Sequence, residues 1–459
     1  MTPQTDITIK AANVRFEDFA FRTPLELSTG RITSIRLAEA CVRVEDRAGR
    51  SAEGRGAIFL GDLWSWPSQR VDSSTRVAVM QRICERLASE LPGVSDGYRH
   101  PIAHGYELFT SARPQIATSV GSNQALPEEV PELASAVCLS IFDAAIHDAF
   151  GRLHGVSAYA ALRSPLFEND LSEWLGHAGR GRRLSEFLRD TPEQRIPGWH
   201  VVSKSDSLTE ETAPSEPDDG LPNSVQAWIE REGVFCFKIK IAGTTVDEDV
   251  ERTAEVYEAT TAVHARLNTG EQIYLEVDSN EACPNAEVVV EYLRKLKERS
   301  PVAFDALLFV EQPTSRDLIA NPIDMRAITA LKPVLVDEGL QGLESLPLAK
   351  QLGWSGAALK TCKTQTLALL SIAWCGLNDW PYAVVDLTNP GLAAVQAAGL
   401  CAWSQPILGV ELNCRQFVPD ANQGLAEHVS GLARMQQGRF HLDAMSDVGL
   451  GYPAAWHES

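Results

Sequence analysis

The sequence lacks the excess of basic residues, the long apolar runs and the N-terminal apolar segment that are typical of nucleic-acid-binding, membrane and secreted proteins. Lys and Arg number 41 against 61 Asp and Glu, and the formal net charge of −20 argues against binding to nucleic acid or to an anionic membrane surface. No apolar run reaches the roughly 18 to 20 residues of a membrane span. The first 19 residues, MTPQTDITIKAANVRFEDF, contain no apolar segment typical of a secretion signal. We therefore expect neither nucleic acid nor membrane as a partner.

Paired cysteines and clustered histidines are also missing. The nine cysteines are scattered, odd in number and without a CxxC pair, which is typical of reduced, buried thiols in a cytoplasmic protein. All ten histidines lie outside residues 266–427, which disfavours a His-rich zinc site in that part of the chain. No glycine-rich phosphate motif follows an apolar run there, which disfavours a dinucleotide site.

What is present from about residue 225 onward is an alternation of short apolar runs with amphipathic stretches of helical period. The runs are VFCFKIKI (234–241), IYLEVD (273–278), ALLFVE (306–311), PVLVDE (333–338), GAALK (356–360), YAVVD (382–386) and LGVEL (408–412). An earlier run, WHVVSK (199–204), brings the count to eight. Strand and helix alternating this often predict a parallel α/β fold, and eight strands favour a closed barrel.

Ionisable residues stand at the ends of five consecutive runs. They are Lys240, Asp278, Glu311, Asp337 and Lys360, separated by 38, 33, 26 and 23 residues, each about one strand–loop–helix unit. Because the carboxyl ends of all strands in a parallel barrel open onto one face, we expect these side chains to converge.

The residue types at these ends indicate a chemistry. Three carboxylates from consecutive strands, Asp278, Glu311 and Asp337, form an oxygen-rich site suited to Mg²⁺, with Mn²⁺ as an alternative. Lys238 and Lys240 share one face of their strand, since strand side chains repeat every two residues. A metal beside such lysines suits removal of the proton next to a carboxylate, because it stabilises the charge that develops.

Lys360 would face this pair from the far side of the barrel mouth. Two amines on opposite sides of one carbon, with a metal holding the carboxylate, is the geometry for α-proton chemistry. Lys363, which lies in TCKTQT beyond the expected strand end, is an alternative second base.

These motifs resemble a known family. FKIKI, LEVDSNEA, FVEQP, VDEG and ALKTCK are similar, in this order, to motifs of the enolase superfamily, in its muconate-lactonizing-enzyme-like subgroup within the mandelate racemase–muconate lactonizing enzyme family. The segment 144–162, AAIHDAFGRLHGVSAYAAL, resembles the helical segment that precedes the barrel there. The resemblance implies an α/β fold, a modified (β/α)7β TIM barrel with an N-terminal α+β capping domain. It also implies Mg²⁺-dependent abstraction of the α-proton of a small carboxylate.

The resemblance assigns roles residue by residue. It implies that Asp278, Glu311 and Asp337 bind the metal, that Lys240 is the base with Lys238 as its partner, and that Lys360 is the opposing lysine. Asn280 matches an amide near the metal, and Glu338 follows the third ligand as a Glu does in many relatives. Glu411 and Asp386 end the last two strands and are added as further contacts of the metal or substrate.

Several departures leave the reaction open. The seventh run, VVDLTNPG, has no His, the last, GVELNCRQF, has no DxD pattern, and ALKTCKTQT lacks paired glycines. Racemisation or epimerisation, cycloisomerisation and syn-dehydration all remain compatible with these motifs. A non-catalytic carboxylate-binding scaffold of the same fold is a further alternative, as is a Schiff-base aldolase using Lys240 or Lys360. Relatives of this kind lead us to expect an oligomer of identical chains.

The same comparison divides the chain into four parts. Residues 1–162 are the expected capping domain, 163–224 a linker with the first barrel strand and a polar loop (203–224), 225–420 the barrel, and 421–459 a segment that packs back on the cap. The polar loop is either a lid over the mouth or a solvated insertion. In the capping domain, Trp64 and Trp66 are candidates for substrate contact or for the core.

Overall fold

The computed structural model describes residues 4–27, 30–94 and 97–457, arranged as an N-terminal domain and a closed barrel. The N-terminal domain is built on a three-stranded antiparallel sheet of β1 (Ile7–Leu27), β2 (Gly30–Asp46) and β3 (Ser51–Phe59), in that order. A turn follows β2, where the Asp46 carboxylate accepts hydrogen bonds from the backbone N–H groups of Ala48 and Arg50. The long strand β1 was not predicted.

Helices cover one face of this sheet. They are α1 (Asp62–Ser65), α2 (Ser73–Val94), α3 (Pro101–Glu107), α4 (Arg113–Asn123) and α5 (Glu132–His154), with a π-helical turn at Leu108–Ala112. A turn at Gly155 ends α5, and Gly155 has the left-handed φ of 66° typical of such ends. α5 lies directly on β3, because at Gly56 an added Cβ would stand 2.2 Å from the Ile141 carbonyl oxygen.

Among the helices that the structure describes, α5 alone has the length and apolar composition to cross a membrane. Its most apolar window is wholly buried inside the protein, between the sheet and the barrel. The helix also carries the buried side chains of Asp143, His147 and Asp148. These observations identify α5 as the central core helix of the N-terminal domain.

Eight parallel strands form the barrel. They are β4 (Arg195–Val202), β5 (Cys236–Lys240), β6 (Tyr274–Asp278), β7 (Leu307–Glu311), β8 (Val334–Val336), β9 (Gly356–Leu359), β10 (Tyr382–Val384) and β11 (Val410–Glu411). Each pairs with the next, and β11 pairs with β4, which closes the barrel. A further strand, β12 (Arg439–His441), runs antiparallel along β4. The predicted closed barrel is therefore confirmed.

The remaining helices surround the barrel. They are α6 (Ser172–Leu175), α7 (Val225–Glu232), α8 (Val246–Leu267), α9 (Ala286–Arg299), α10 (Pro301–Ala306), α11 (Arg326–Thr329), α12 (Ser345–Gln351), α13 (Gln365–Leu377), α14 (Gly391–Trp403), α15 (Cys414–Phe417), α16 (Gln423–His428) and α17 (Ser430–Ala433). Each of the first seven strands is followed by at least one helix, and β11 by the single turn α15. This is the (β/α)7β order with its N-terminal α+β domain, as expected.

The polar loop 203–224 is attached to the N-terminal domain. The Arg22 side chain of β1 donates to the Asp219 carboxylate at 2.6 Å, to Asn223 Oδ1 at 2.6 Å and to the Leu221 carbonyl oxygen at 3.0 Å. Only 6% of the Arg22 side chain is exposed, so these contacts fix the loop against the capping sheet. Whether the loop also opens as a lid stays a prediction.

Candidate active site

The register of the barrel strands brings the first three predicted site residues side by side. Lys240 of β5 pairs with Asp278 of β6, which pairs with Glu311 of β7. The Lys240 ammonium donates to Asp278 Oδ2 at 2.6 Å and to Asn280 Oδ1 at 2.9 Å. Because the strands are parallel and end at the same level, residues far apart in the sequence share one edge of the barrel.

Lys238 lies at the centre of the barrel. Its ammonium group is 2.7 Å from Glu311 Oε2, 3.1 Å from Glu411 Oε2, and 3.4 Å from both Glu276 Oε1 and Asp278 Oδ2. Only 1% of the side chain is exposed. A buried ammonium surrounded by four carboxylates holds together acids that would otherwise repel one another.

Asp337 joins the site just beyond β8, where two lysines bind it. Lys360 lies 3.0 Å from Asp337 Oδ2 and donates to the Asp386 backbone carbonyl oxygen at 2.8 Å. Lys363, which was expected beyond the strand end, is buried and donates to Asp337 Oδ1 at 2.9 Å. Both candidates for the opposing lysine therefore contact the same predicted metal ligand.

The other predicted residues lie around this centre. Asn280 and the capping-domain Trp64 both donate to Glu338 Oε1, at 3.2 Å and 3.0 Å. Glu411 Oε1 accepts from Asn413, whose backbone N–H donates to Asp386 Oδ2 at 2.9 Å. The structure thus brings all ten predicted site residues into one connected network of ion pairs and hydrogen bonds.

The indole ring of Trp64, from the capping domain, covers one side of this network. Its ring centroid lies 5.0 Å from the Lys360 ammonium and 5.8 Å from that of Lys363. Arg316 positions Trp64, because it donates to the Trp64 carbonyl oxygen at 2.9 Å and forms an ion pair with Glu281. The capping domain therefore contacts the candidate lysines directly and shields them from water.

Burial dominates the electrostatics of the acids. It raises the pKa of Glu311 to about 7, with Asp278 adding to the rise and Lys238 opposing it. Burial and the charge of Asp337 raise the pKa of Glu338 to about 8. Burial alone would lower the pKa of Lys238, but Glu311 and the other three carboxylates raise it well above its usual value.

The structure allows a test of the predicted metal site. No three His, Cys, Asp or Glu side chains in residues 4–27, 30–94 and 97–457 are spaced to hold a metal ion as they stand. The reason is that the three predicted ligands are turned toward lysines.

The balance of charge nevertheless fits a divalent cation. Seven buried carboxylates face four lysines; the acids are Glu276, Asp278, Glu311, Asp337, Glu338, Asp386 and Glu411, and the lysines are Lys238, Lys240, Lys360 and Lys363. Glu311 Oε1 and Glu338 Oε2 are buried without a hydrogen-bond partner among the described residues. Excess negative charge and hard oxygen donors suit Mg²⁺, so Asp278, Glu311 and Asp337 could hold the ion after the lysines turn away.

One buried acid of the network was not predicted as a site residue. Glu276 stands two residues before Asp278 on β6, and its register partner is Lys238. An acid at every second position of an otherwise apolar strand was the available signal. The bond from Trp64 to Glu338 joins residues 274 apart in sequence, and no local pattern reports such a contact.

Comparison with known proteins rests on structure alone. No family model matches the sequence. No curated protein matches it either. A mandelate racemase/muconate lactonizing protein from Herpetosiphon aurantiacus has 17% identity and a TM-score of 0.60, and the match covers 98% of this chain and 99% of that one.

Two further structures match over nearly the whole chain. A dipeptide epimerase from Enterococcus faecalis, complexed with Mg and the dipeptide L-Leu-L-Tyr, has 16% identity and a TM-score of 0.58, with 97% and 99% coverage. An enolase from Bradyrhizobium, complexed with magnesium and mandelic acid, has 15% identity and a TM-score of 0.59, with 97% and 96% coverage. The fold of this chain is therefore the one implied by its motifs, that of the mandelate racemase and muconate lactonizing enzymes of the enolase superfamily.

Proposed function

We propose that this chain is a Mg²⁺-dependent enzyme that removes the proton next to the carboxylate of a small acid, leading to racemisation, epimerisation or cycloisomerisation. One observation carries the proposal. Lys240 and Lys360 follow strands four places apart in a ring of eight, so they approach the mouth from opposite sides. Both contact members of the same acid triad, Lys240 through Asp278 and Lys360 through Asp337.

The contacts of each residue indicate the role that it would have in the reaction. A substrate carbon placed between Lys240 and Lys360 has an amine on each face, so one can take the proton while the other returns it or stabilises the negative charge. Lys238 is fully enclosed by carboxylates and positions them. Asp278, Glu311 and Asp337 would hold Mg²⁺, which would supply positive charge beside the substrate carboxylate. Trp64 covers the site and excludes water, which strengthens every charge interaction beneath it.

The neighbouring structures support a carboxylate as substrate. The dipeptide epimerase holds L-Leu-L-Tyr and the Bradyrhizobium enolase holds mandelic acid, and each of these molecules carries a carboxylate. Both structures also contain magnesium. The shared fold and the acid triad at the ends of β6 to β8 make the same combination the best proposal for this chain.

Proton NMR in D₂O tests the proposal. The protein is incubated with Mg²⁺ and a pooled set of N-acylamino acids, dipeptides, 2-hydroxy acids, sugar acids and dienoate lactones, and loss of the α-proton signal is followed. We expect exchange of one substrate class, which stops on addition of EDTA. Binding of Mg²⁺ and a carboxylate without exchange would favour the non-catalytic scaffold instead.

Two lysine variants distinguish the modes of catalysis. Lys240→Ala and Lys360→Ala should each reduce turnover by at least about 10²-fold, the usual contribution of a positioned acid or base. Lys295→Ala is the matched control, because Lys295 forms its ion pairs on the exposed surface of α9. Retained exchange of one enantiomer in a single variant supports two opposing bases. Unchanged turnover in both variants contradicts the assignment.

A further inference from the structure

The capping sheet has one edge that faces no other strand. β1 pairs with β2 on one side. On the other side, among the described residues, its backbone–backbone hydrogen bonds are those between Ile7 and Arg99. From Ala11 to Ala20, no backbone hydrogen bond joins the outer edge to another element that the structure describes. An unpaired edge of this length is a template for another strand.

The side chains along this edge combine half-buried apolar residues on one face with exposed charged residues on the other. Val14 and Phe16 pack against the core of the capping domain but remain half-buried. On the opposite face, Arg15 and Glu17 are exposed. Arg15 pairs with Glu39 of its own sheet, yet 71% of its side chain remains exposed, so it is free to make a second contact. Apolar and charged residues alternate from Val14 to Glu17, and the next residue, Asp18, pairs with Arg36 of its own sheet.

We propose that β1 of a second copy of this chain pairs antiparallel with this edge, about a two-fold axis midway between the two copies of Phe16. Two three-stranded capping sheets then form one continuous sheet of six strands. This pairing gives the expected oligomer a specific surface, and it is independent of the proposed catalytic function.

Charge selects this register among the possible ones. In a symmetric antiparallel pair, residues that face each other both point their backbone N–H and C=O groups toward the partner strand or both point them away. One residue therefore faces its own copy, and the two-fold axis lies midway between the two. When Phe16 faces its own copy, Arg15 of each chain lies opposite Glu17 of the other, which gives two pairs of opposite charge. Residues 12–20 of both strands are then paired. An axis at Arg15 or at Glu17 places like charges face to face, and one at Val14 pairs only residues 11–17.

Cross-linking tests the register directly. In a Cys41→Ser background, Phe16→Cys should form a disulfide-linked dimer on mild oxidation, because residues opposite each other in such a pair lie about 4.5 to 5.5 Å apart at Cα, within disulfide range. Asn13→Cys is the matched control. Its two copies would be separated by six residues of strand, about 20 Å, and should not cross-link. The other eight native cysteines are buried.

Charge reversal followed by sedimentation tests the same pairing in solution. Arg15→Glu and Glu17→Arg should each weaken the dimer about tenfold, since two opposite-charge pairs become like-charge pairs. The double variant restores opposite charges and should regain dimerisation. A purely monomeric protein, a Phe16→Cys variant that does not cross-link, or a dimer that Arg15→Glu leaves unchanged would each overturn the proposal.

Discussion

Replacing Lys238 with Met is the most demanding test of the centre of the barrel. Met matches the unbranched side chain of Lys up to the position of Cε but lacks the ammonium group. It leaves Glu311, Glu411, Glu276 and Asp278 facing one another without their shared positive charge. Removing one partner of a single buried ion pair costs about 3–5 kcal/mol. With four carboxylates within 3.4 Å of the ammonium, we expect the loss at pH 8 to reach at least this range.

The loss should depend on pH in a fixed direction. The charge of Lys238 lowers the pKa of each of the four carboxylates, so its removal raises all four pKa values in the folded state. Between about pH 5 and pH 8 the folded variant then binds more protons than the unfolded chain. Stability of the variant should therefore rise as the pH falls through that window. The wild-type protein should show a weaker trend, because its ammonium already offsets part of the charge.

Urea unfolding measures both effects. The wild type, Lys238→Met and the surface control Lys295→Met are compared in EDTA at pH 8 and pH 6, with intrinsic tryptophan fluorescence as the signal. We expect the control to match the wild type at both pH values, and the Lys238 variant to recover part of its loss at pH 6. If the Lys238 variant is as stable as the wild type at pH 8, the view that this ammonium holds the acids together is wrong.

Four further outcomes follow from the same structure. Trp64→Ala removes the ring above the two lysines that follow β9, and we expect KM for the substrate to rise about tenfold or more. The urea midpoint should also fall, because Trp64 is a buried member of the core of the capping domain. Because burial raises the pKa of Glu311 to about 7 and that of Glu338 to about 8, the metal-free protein should be more stable at pH 6 than at pH 9, as unfolding in EDTA would show. Titration with Mg²⁺ at pH 7 should release protons from these same acids, measured by calorimetry in buffers of different ionisation enthalpy, and a heat independent of the buffer would contradict this. Gly56→Ala should destabilise the protein by several kcal/mol in thermal unfolding, roughly the cost of forced overpacking, because the new Cβ meets the Ile141 carbonyl oxygen.

The barrel and the charged residues at its mouth could be predicted from the sequence. Apolar runs that end in an acid or a lysine are rare, because burying a charge is costly unless a partner compensates it. Asp278, Glu311 and Lys360 are therefore conspicuous in the amino-acid sequence itself. The spacing of about one strand–loop–helix unit predicts that they share one face, and the register of β5, β6 and β7 bears this out.

What could not be predicted depends on contacts between distant segments. Trp64 reaches the site only because the capping domain lies over the barrel, and Arg316 holds it there from 252 residues away. Lys363 lies beyond the strand end, as expected, and what the sequence did not show is the short turn at Thr361–Lys363 that returns its side chain to Asp337. The free edge of β1 was also missed, since an edge is defined by which strands pair and not by the residues of one strand.

The imbalance of charge connects the stability of this protein to its proposed chemistry. Seven acids can carry more negative charge than four lysines neutralise. In the metal-free site protons take up much of this excess charge, because burial raises the pKa values of Glu276, Glu311, Glu338 and Asp386. A divalent cation would relieve it without protonating the acids, and would release Lys240 and Lys360 from Asp278 and Asp337. The same event that stabilises the fold would thus free the two amines for proton transfer, so metal-linked stability and turnover should rise together as Mg²⁺ is added.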